Sequence, residues 1–160
     1  MRNKKIRKAK QIEFDQIYMM GFDVWAEGGK DEYLTECRTS QKYARGSWYV
    51  LENEDDKLVS SLIVYDFGQN QYGIGSIATP KELRKQGYAS ALISDVIREI
   101  ENISAEATIF LYSDIEPEFY ERFDFVKVPT SAQRYKTTTC MVRGGDIDKF
   151  FDKTSTPEYF

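Results

Sequence analysis

The chain has 160 residues, 41% of them hydrophobic and 14% aromatic, enough for one compact domain with a densely filled core. A formal net charge of -4 and a pI near 5.0 argue against a polyanion partner such as nucleic acid, because neutralising phosphates needs a basic face. The chain has no histidine, which excludes His-based triads and His-ligated metal sites, and no metal is expected.

The start Met1-Arg2-Asn3-Lys4-Lys5 is basic, but no apolar stretch follows it and no apolar run is long enough to cross a bilayer. A cytoplasmic protein without a membrane partner is expected. Lys5 to Lys8 reads as a short edge strand, and Glu13 to Phe22 carries apolar residues at 14, 17, 18 and 22, a helical spacing. Gly28-Gly29 breaks the chain after Trp25. Asp31 is expected to cap a second helix that places Tyr33, Leu34 and Cys37 on one face and ends near Tyr43. Trp48 to Glu52 and Leu58 to Tyr65 are β-type runs joined by the acidic turn Asn53-Glu54-Asp55-Asp56, and Asp66 to Asn70 turns the chain again into Gln71 to Ala78.

From Ala89 to Glu101 the set Leu92, Ile93, Val96, Ile97 and Ile100 recurs at i, i+3, i+4, with Ser94, Asp95, Arg98 and Glu99 opposite: an amphipathic helix. Ala107 to Tyr112 is an unbroken β-type run that suits a strand covered on both faces. Glu116-Pro117 opens a short helix through Arg122, proline being tolerated in a first turn. Phe125 to Val128 and Thr137 to Arg143 complete the strands. Residues 1–145 are expected to form a single domain, and 146–160 an added short helix or tail whose Phe150, Phe151 and Phe160 favour docking. Cys37 and Cys140 lack CxxC spacing and read as free, buried thiols.

The stretch between strand and long helix, Arg84-Lys85-Gln86-Gly87-Tyr88-Ala89, has the makings of an anion site. Gly87 allows φ > 0 and close backbone approach, the next N–H groups open a helix, and Arg84 and Lys85 add local positive charge. A plain strand-to-helix turn uses the same residue types. A Walker loop fits worse, for want of the Gly-Lys-Ser/Thr ending, and so does a dinucleotide loop, because Gly73 and Gly75 lie ahead of the turn.

Arg-x-x-Gly-x-Ala after a strand and before a helix resembles the acetyl-CoA motif of the GNAT N-acetyltransferases. Leu111-Tyr112-Ser113-Asp114, followed by Phe119-Tyr120-Glu121-Arg122-Phe123-Asp124-Phe125, is similar to the family's later strand and its Phe-Tyr-x-x-x-Gly-Phe helix. Asp124 stands where the family usually has glycine, at a position that needs a left-handed backbone. The likeness covers roughly residues 5 to 143. It implies the GNAT acyl-CoA N-acyltransferase fold, an α/β fold of the α+β type with a mixed, mostly antiparallel sheet flanked by helices. A looser resemblance to the family's lysine N-acetyltransferase-like branch runs through Tyr33-Leu34, Leu111 to Ile115 and Phe119-Tyr120.

In GNAT proteins an amine attacks the thioester of acetyl-CoA directly and coenzyme A leaves as a thiolate. The resemblance therefore implies acetyl-CoA as acyl donor, held by Arg84, Lys85, Gln86, Gly87, Tyr88, Ala89 and Ser90, with backbone groups of Ile77, Ala78 and Thr79 along its pantetheine arm. Tyr120 matches the family's general acid, and a tyrosine packed into the core is its alternative role. Many relatives carry a carboxylate base on the strand before the loop, but Gln71 to Ser76 has none. Glu27, Asp66 and Asp114 are the substitutes, each with a structural alternative: a solvated loop, a turn and a helix cap respectively. Trp25, Glu27, Asp66 and Asp114 are accordingly the candidate acceptor contacts. The expected partner is a small-molecule primary amine, with a homodimer left open. A CoA-binding domain without catalysis is the alternative function, and an interaction domain without a CoA site is a third.

Overall fold

The computed structural model describes residues 4–160. Its strands are β1 (Lys5–Lys8), β2 (Ser47–Glu52), β3 (Leu58–Gly68), β4 (Gln71–Ala78), β5 (Thr108–Ser113), β6 (Val126–Lys127) and β7 (Thr139–Arg143), in sheet order β1-β2-β3-β4-β5-β7-β6. The helices are α1 (Phe14–Met20), α2 (Phe22–Trp25), α3 (Lys30–Arg38), α4 (Gln41–Ala44), α5 (Tyr88–Ile103) and α6 (Glu118–Glu121). β1-β2, β2-β3, β5-β7 and β6-β7 pair antiparallel, while β4-β5 is parallel over Gln71 to Gly73, so the sheet is mixed and mostly antiparallel. This is the GNAT fold.

The chain divides into two compact units. The first comprises the described residues up to Tyr65 together with Ser76–Glu99, and the second Asp66–Gly75 with Ile100–Phe160. In the first unit, β2 carries Trp48, Tyr49, Val50 and Leu51 in succession and β3 is buried without a break from Leu58 to Tyr65, so that Val50, Leu51, Leu62 and Ile63 are fully buried. The stripe on α5 is buried as its spacing requires: Leu92, Ile93 and Val96 are inaccessible. Arg7 ties β1 to its neighbours by pairing with Glu52 and, through two bonds of 2.9 and 2.7 Å, with Glu13. The second unit is built on Phe110, Val128, Ala132, Cys140, Val142 and Phe150, with Tyr112 and Phe160 packed against them.

Several boundaries differ from the sequence reading for local reasons. The helix expected to run unbroken to Phe22 stops at Met20 and resumes at Phe22, because the Trp25 ring folds back over Gly21. Asp31 is not a cap: Gly29 is the N-cap of α3, and Asp31 sits in the first turn, where its charge favours the helix dipole. That helix also ends at Arg38 rather than near Tyr43, since Ser40 starts α4 by accepting the Tyr43 N–H at 3.2 Å. β3 runs on to Gly68, and β5 begins at Thr108. Asp114 caps no helix either, because α6 starts after Pro117. Residues 146–160 form two 3₁₀ turns, Ile147–Lys149 and Lys153–Ser155, docked on the second unit.

Candidate acetyl-CoA loop and acid site

In the first unit, the path from β4 into α5 is set by backbone choices that few residues tolerate. Ser76 breaks the extended run of β4 with φ +45, and its hydroxyl bonds the Tyr43 hydroxyl at 3.3 Å. Two residues on, the Ala78 carbonyl accepts from the buried Ser60 hydroxyl at 2.9 Å, and that hydroxyl also lies 3.0 Å from Thr79 Oγ1. Of the three backbone positions Ile77, Ala78 and Thr79, the last two have carbonyls engaged within the chain, Ala78 by Ser60 and Thr79 by the Arg84 Nε. A 3₁₀ turn, Lys81–Leu83, follows Pro80.

Arg84 is the anchor of the loop rather than a cation held out towards solvent. Its Nε donates to the Thr79 carbonyl at 2.9 Å, and its two terminal nitrogens clamp both oxygens of Asp23 at 2.7 Å. One of them also reaches the Met20 carbonyl at 3.4 Å. Such a planar fork on a carboxylate is the strong form of ion pair. The Arg84 bond holds the Asp23 carboxyl below the usual carboxylate range. The loop is thereby tied to the corner between α1 and α2. Beside that tie an open groove of about 320 Å³ is lined by Met19, Met20, Phe22, Asp23, Pro80 and Glu82 among others.

Beyond Arg84 the chain turns through Lys85 at φ +64 and Gly87 at φ +84, and α5 begins at Tyr88. The first helical bond runs from the Ala91 N–H to the Gly87 carbonyl at 3.0 Å. The N–H groups of Gly87, Tyr88 and Ala89 precede any i−4 acceptor within the helix. Among the described residues, and apart from the glycine's own chain neighbours, no atom lies within 4 Å of the place a Gly87 Cβ would take, so the backbone there can be approached closely. Lys85 and Gln86 are exposed, Ala89 and Ser90 are half-buried in the first turn, and the Lys4 Nζ sits 4.9 Å from the centre of the Tyr88 ring. Helix-start donors, an open glycine and nearby lysines suit a pyrophosphate.

In the second unit, Tyr120 is buried, with Phe119 at 5.1 Å and Phe125 at 6.4 Å between ring centres. Its hydroxyl has no hydrogen-bond partner among the described residues. Burial first, and the charge of Asp114 second, push its pKa up to about 12. The phenol is thus held protonated, the state a general acid needs. Asp124 has φ +64, so it adopts the left-handed geometry in which the family favours glycine.

The other candidates are scattered. Trp25 is 42% exposed and Glu27 lies on the exposed loop before α3. Asp66 accepts the Gly68 N–H at 2.8 Å at the end of β3, and Asp114 accepts the hydrogen bond of the Tyr159 hydroxyl at 2.8 Å. Sequence reasoning missed Asp23, Ser60 and Tyr159, whose partners are distant along the chain and leave no periodic trace. Cys37 and Cys140 are free and buried, and burial raises both thiols, Cys140 to about 11. Neither is an activated nucleophile. Among the described residues no cluster of three or more His, Cys, Asp or Glu could hold a metal, and no helix is long and apolar enough to cross a membrane.

Comparison with known proteins agrees with the fold. No curated protein matches the chain by sequence. Among solved structures, a GNAT family acetyltransferase from Brucella melitensis in complex with acetyl-CoA aligns with TM-score 0.61 and 18% identity over 90% of each chain. A mutant of the spermidine N-acetyltransferase SpeG from Vibrio cholerae aligns with TM-score 0.67 and 15% identity over 94% of this chain and 98% of its own. A GNAT family acetyltransferase from Staphylococcus aureus Mu50 aligns with TM-score 0.62 and 11% identity over 89% and 99%. At these identities the likeness is one of fold. The model of the acetyltransferase (GNAT) domain matches residues 5–128, most of the chain, and the chain belongs to the GNAT acetyltransferase family.

Proposed function

We propose that the protein is an N-acetyltransferase that moves an acetyl group from acetyl-CoA to a primary amine of a small molecule by direct attack. The observation that carries the reading is the loop at the start of α5. There Gly87 at φ +84 opens the helix N-terminus to an anion, while Arg84 is spent on fixing the loop. Acetyl-CoA supplies the thioester. The backbone N–H groups from Gly87 to Ala89 bind pyrophosphate, with Lys85 adding charge. Tyr120, kept protonated by its surroundings, donates a proton to the departing thiolate.

β4 carries no carboxylate, so the attacking amine loses its proton to water or to a base elsewhere. The same absence favours a second reading, an acyl-CoA-binding domain without catalysis. The test is acetyl-CoA with a panel of amino acids including lysine, polyamines and aminoglycosides, following amine-dependent release of free thiol. Lysine addresses the lysine N-acetyltransferase-like branch, and the polyamines follow from the Vibrio cholerae relative's name. Turnover with one acceptor class supports the enzyme. Acetyl-CoA binding with no turnover on any amine supports the binding domain.

A further inference from the structure

Residues 129–160 lie beyond the stretch matched by the family model, yet they are fastened to the second unit at several points. Phe150 is buried edge-on to Phe110 at 5.5 Å. The Thr156 hydroxyl donates to the Ala132 carbonyl at 3.0 Å, and the Thr156 carbonyl accepts from Arg134 Nε at 3.1 Å. The Tyr112 hydroxyl donates to the Pro157 carbonyl, and the Phe160 ring occupies the space a side chain at Gly73 would need, 2.7 Å from its Cβ position. Tyr159 is held between these last two anchors, and its own N–H bonds the Tyr135 hydroxyl at 3.1 Å.

This fastening assembles three tyrosine rings. Tyr112, Tyr135 and Tyr159 stand with centres 5.3 to 6.2 Å apart, two of the pairs edge-on. Tyr135 and Tyr159 remain 39% and 45% exposed. At the rim, the Tyr159 hydroxyl donates to Asp114 Oδ2 at 2.8 Å. A carboxylate can accept about four hydrogen bonds, so one tyrosine leaves Asp114 most of its capacity. Asp114 is exposed, and no ion pair among the described residues includes it. Its charge also acts on the Tyr120 phenol, the candidate acid. A carboxylate steered by one exposed tyrosine, with a second beside it, has the chemistry that receives an ammonium group.

We propose that Asp114, Tyr135 and Tyr159 form a binding site for an ammonium group of the acceptor, completed by the chain's own C-terminal segment. The inference rests on the acetyltransferase reading and sharpens its substrate class. A carboxylate at the hydroxyl edge of an exposed tyrosine favours the protonated amine, whereas the nitrogen that attacks a thioester must be neutral. The nitrogen bound here is therefore a second one, and the acceptor is a compound with two amino groups.

The test is calorimetric titration of 1,4-diaminobutane and of n-butylamine into the wild type, Asp114→Asn, Tyr135→Leu and Tyr159→Phe, each with a separate acetyl-CoA titration and a melting curve. The diamine should bind the wild type more tightly than the monoamine. Asp114→Asn should weaken it by about tenfold or more, and Tyr135→Leu by about threefold to tenfold. Tyr159→Phe keeps the ring but frees the carboxylate, and should change diamine affinity less than Asp114→Asn does. Acetyl-CoA affinity should be the same in all four proteins. Diamine affinity unaltered by Asp114→Asn, or no diamine binding to a wild type that does bind acetyl-CoA, would overturn the proposal while leaving the acetyltransferase reading standing. Loss of acetyl-CoA binding in the wild type itself would instead refute that reading, with the diamine titration still deciding whether the ammonium site exists.

Discussion

Tyr120 concentrates the chemistry of the account in one oxygen. Its ring packs against Phe119 and Phe125, but its hydroxyl bonds nothing among the described residues, so Tyr120→Phe should leave the melting temperature almost unmoved. The kcat should fall by about 10²- to 10⁴-fold, the usual contribution of a general acid, with acetyl-CoA affinity little changed. The pH dependence follows from the direction of the shift. A phenol raised from about 10 to about 12 stays protonated through the ordinary assay range, so no alkaline fall in rate should come from Tyr120 until pH nears 12. A fall centred near 10 that disappears in the Phe variant would show a solvated phenol instead. Tyr120 was legible in the sequence because its neighbours form a motif. Arg84 was legible only as a cation, since its partner Asp23 lies 61 residues away and no local spacing announces it.

At the scale of elements, two short constructions carry predictions. The loop into α5 depends on Gly87, because a β-branched side chain at φ +84 is strained and intrudes on the open approach. Gly87→Val should weaken acetyl-CoA binding by about tenfold or more, measured by calorimetry. Arg84→Ala should act mainly through a looser loop, lowering stability as well as affinity, because its guanidinium is bound to Asp23, Thr79 and Met20. The other construction is the Arg7–Glu13 pair at β1. Its bonds to Arg7, ahead of the one from the Lys10 N–H, hold Glu13 down at about 2. The folded pKa is depressed, so the pair's stabilisation is present above the ordinary carboxylate range and is lost as pH falls towards 2. Glu13→Ala should cost about 1–2 kcal/mol at neutral pH, and urea melts should find that difference shrinking in acid. An unchanged difference at low pH would mean that charge is not what Glu13 contributes. Long periodic elements such as α5 were readable in advance. The breaks at Gly21 and Ser40 were not, because a ring folded over a glycine and a serine cap are decided by packing rather than by period.

For the whole molecule, the order of strands and helices was readable because each element has its own period and the turns between them carry Gly, Asn and Asp. The docking of residues 146–160 was visible only as apolar content, since its contacts, such as Phe160 on Gly73, join residues far apart in the chain. The central claim is that the loop at the start of α5 is an acetyl-CoA site, and the most direct test is the melting temperature of wild type and Gly87→Val with and without acetyl-CoA. A ligand that binds only the native state adds about 2.7 kcal/mol at a hundredfold excess over Kd. For a chain of this length that is a rise of about 5–10 °C. The account predicts that rise in the wild type, a similar one with desulfo-CoA, and a much smaller one in Gly87→Val at the same concentration. No shift in the wild type at saturating acetyl-CoA, or an equal shift in both proteins, would contradict it.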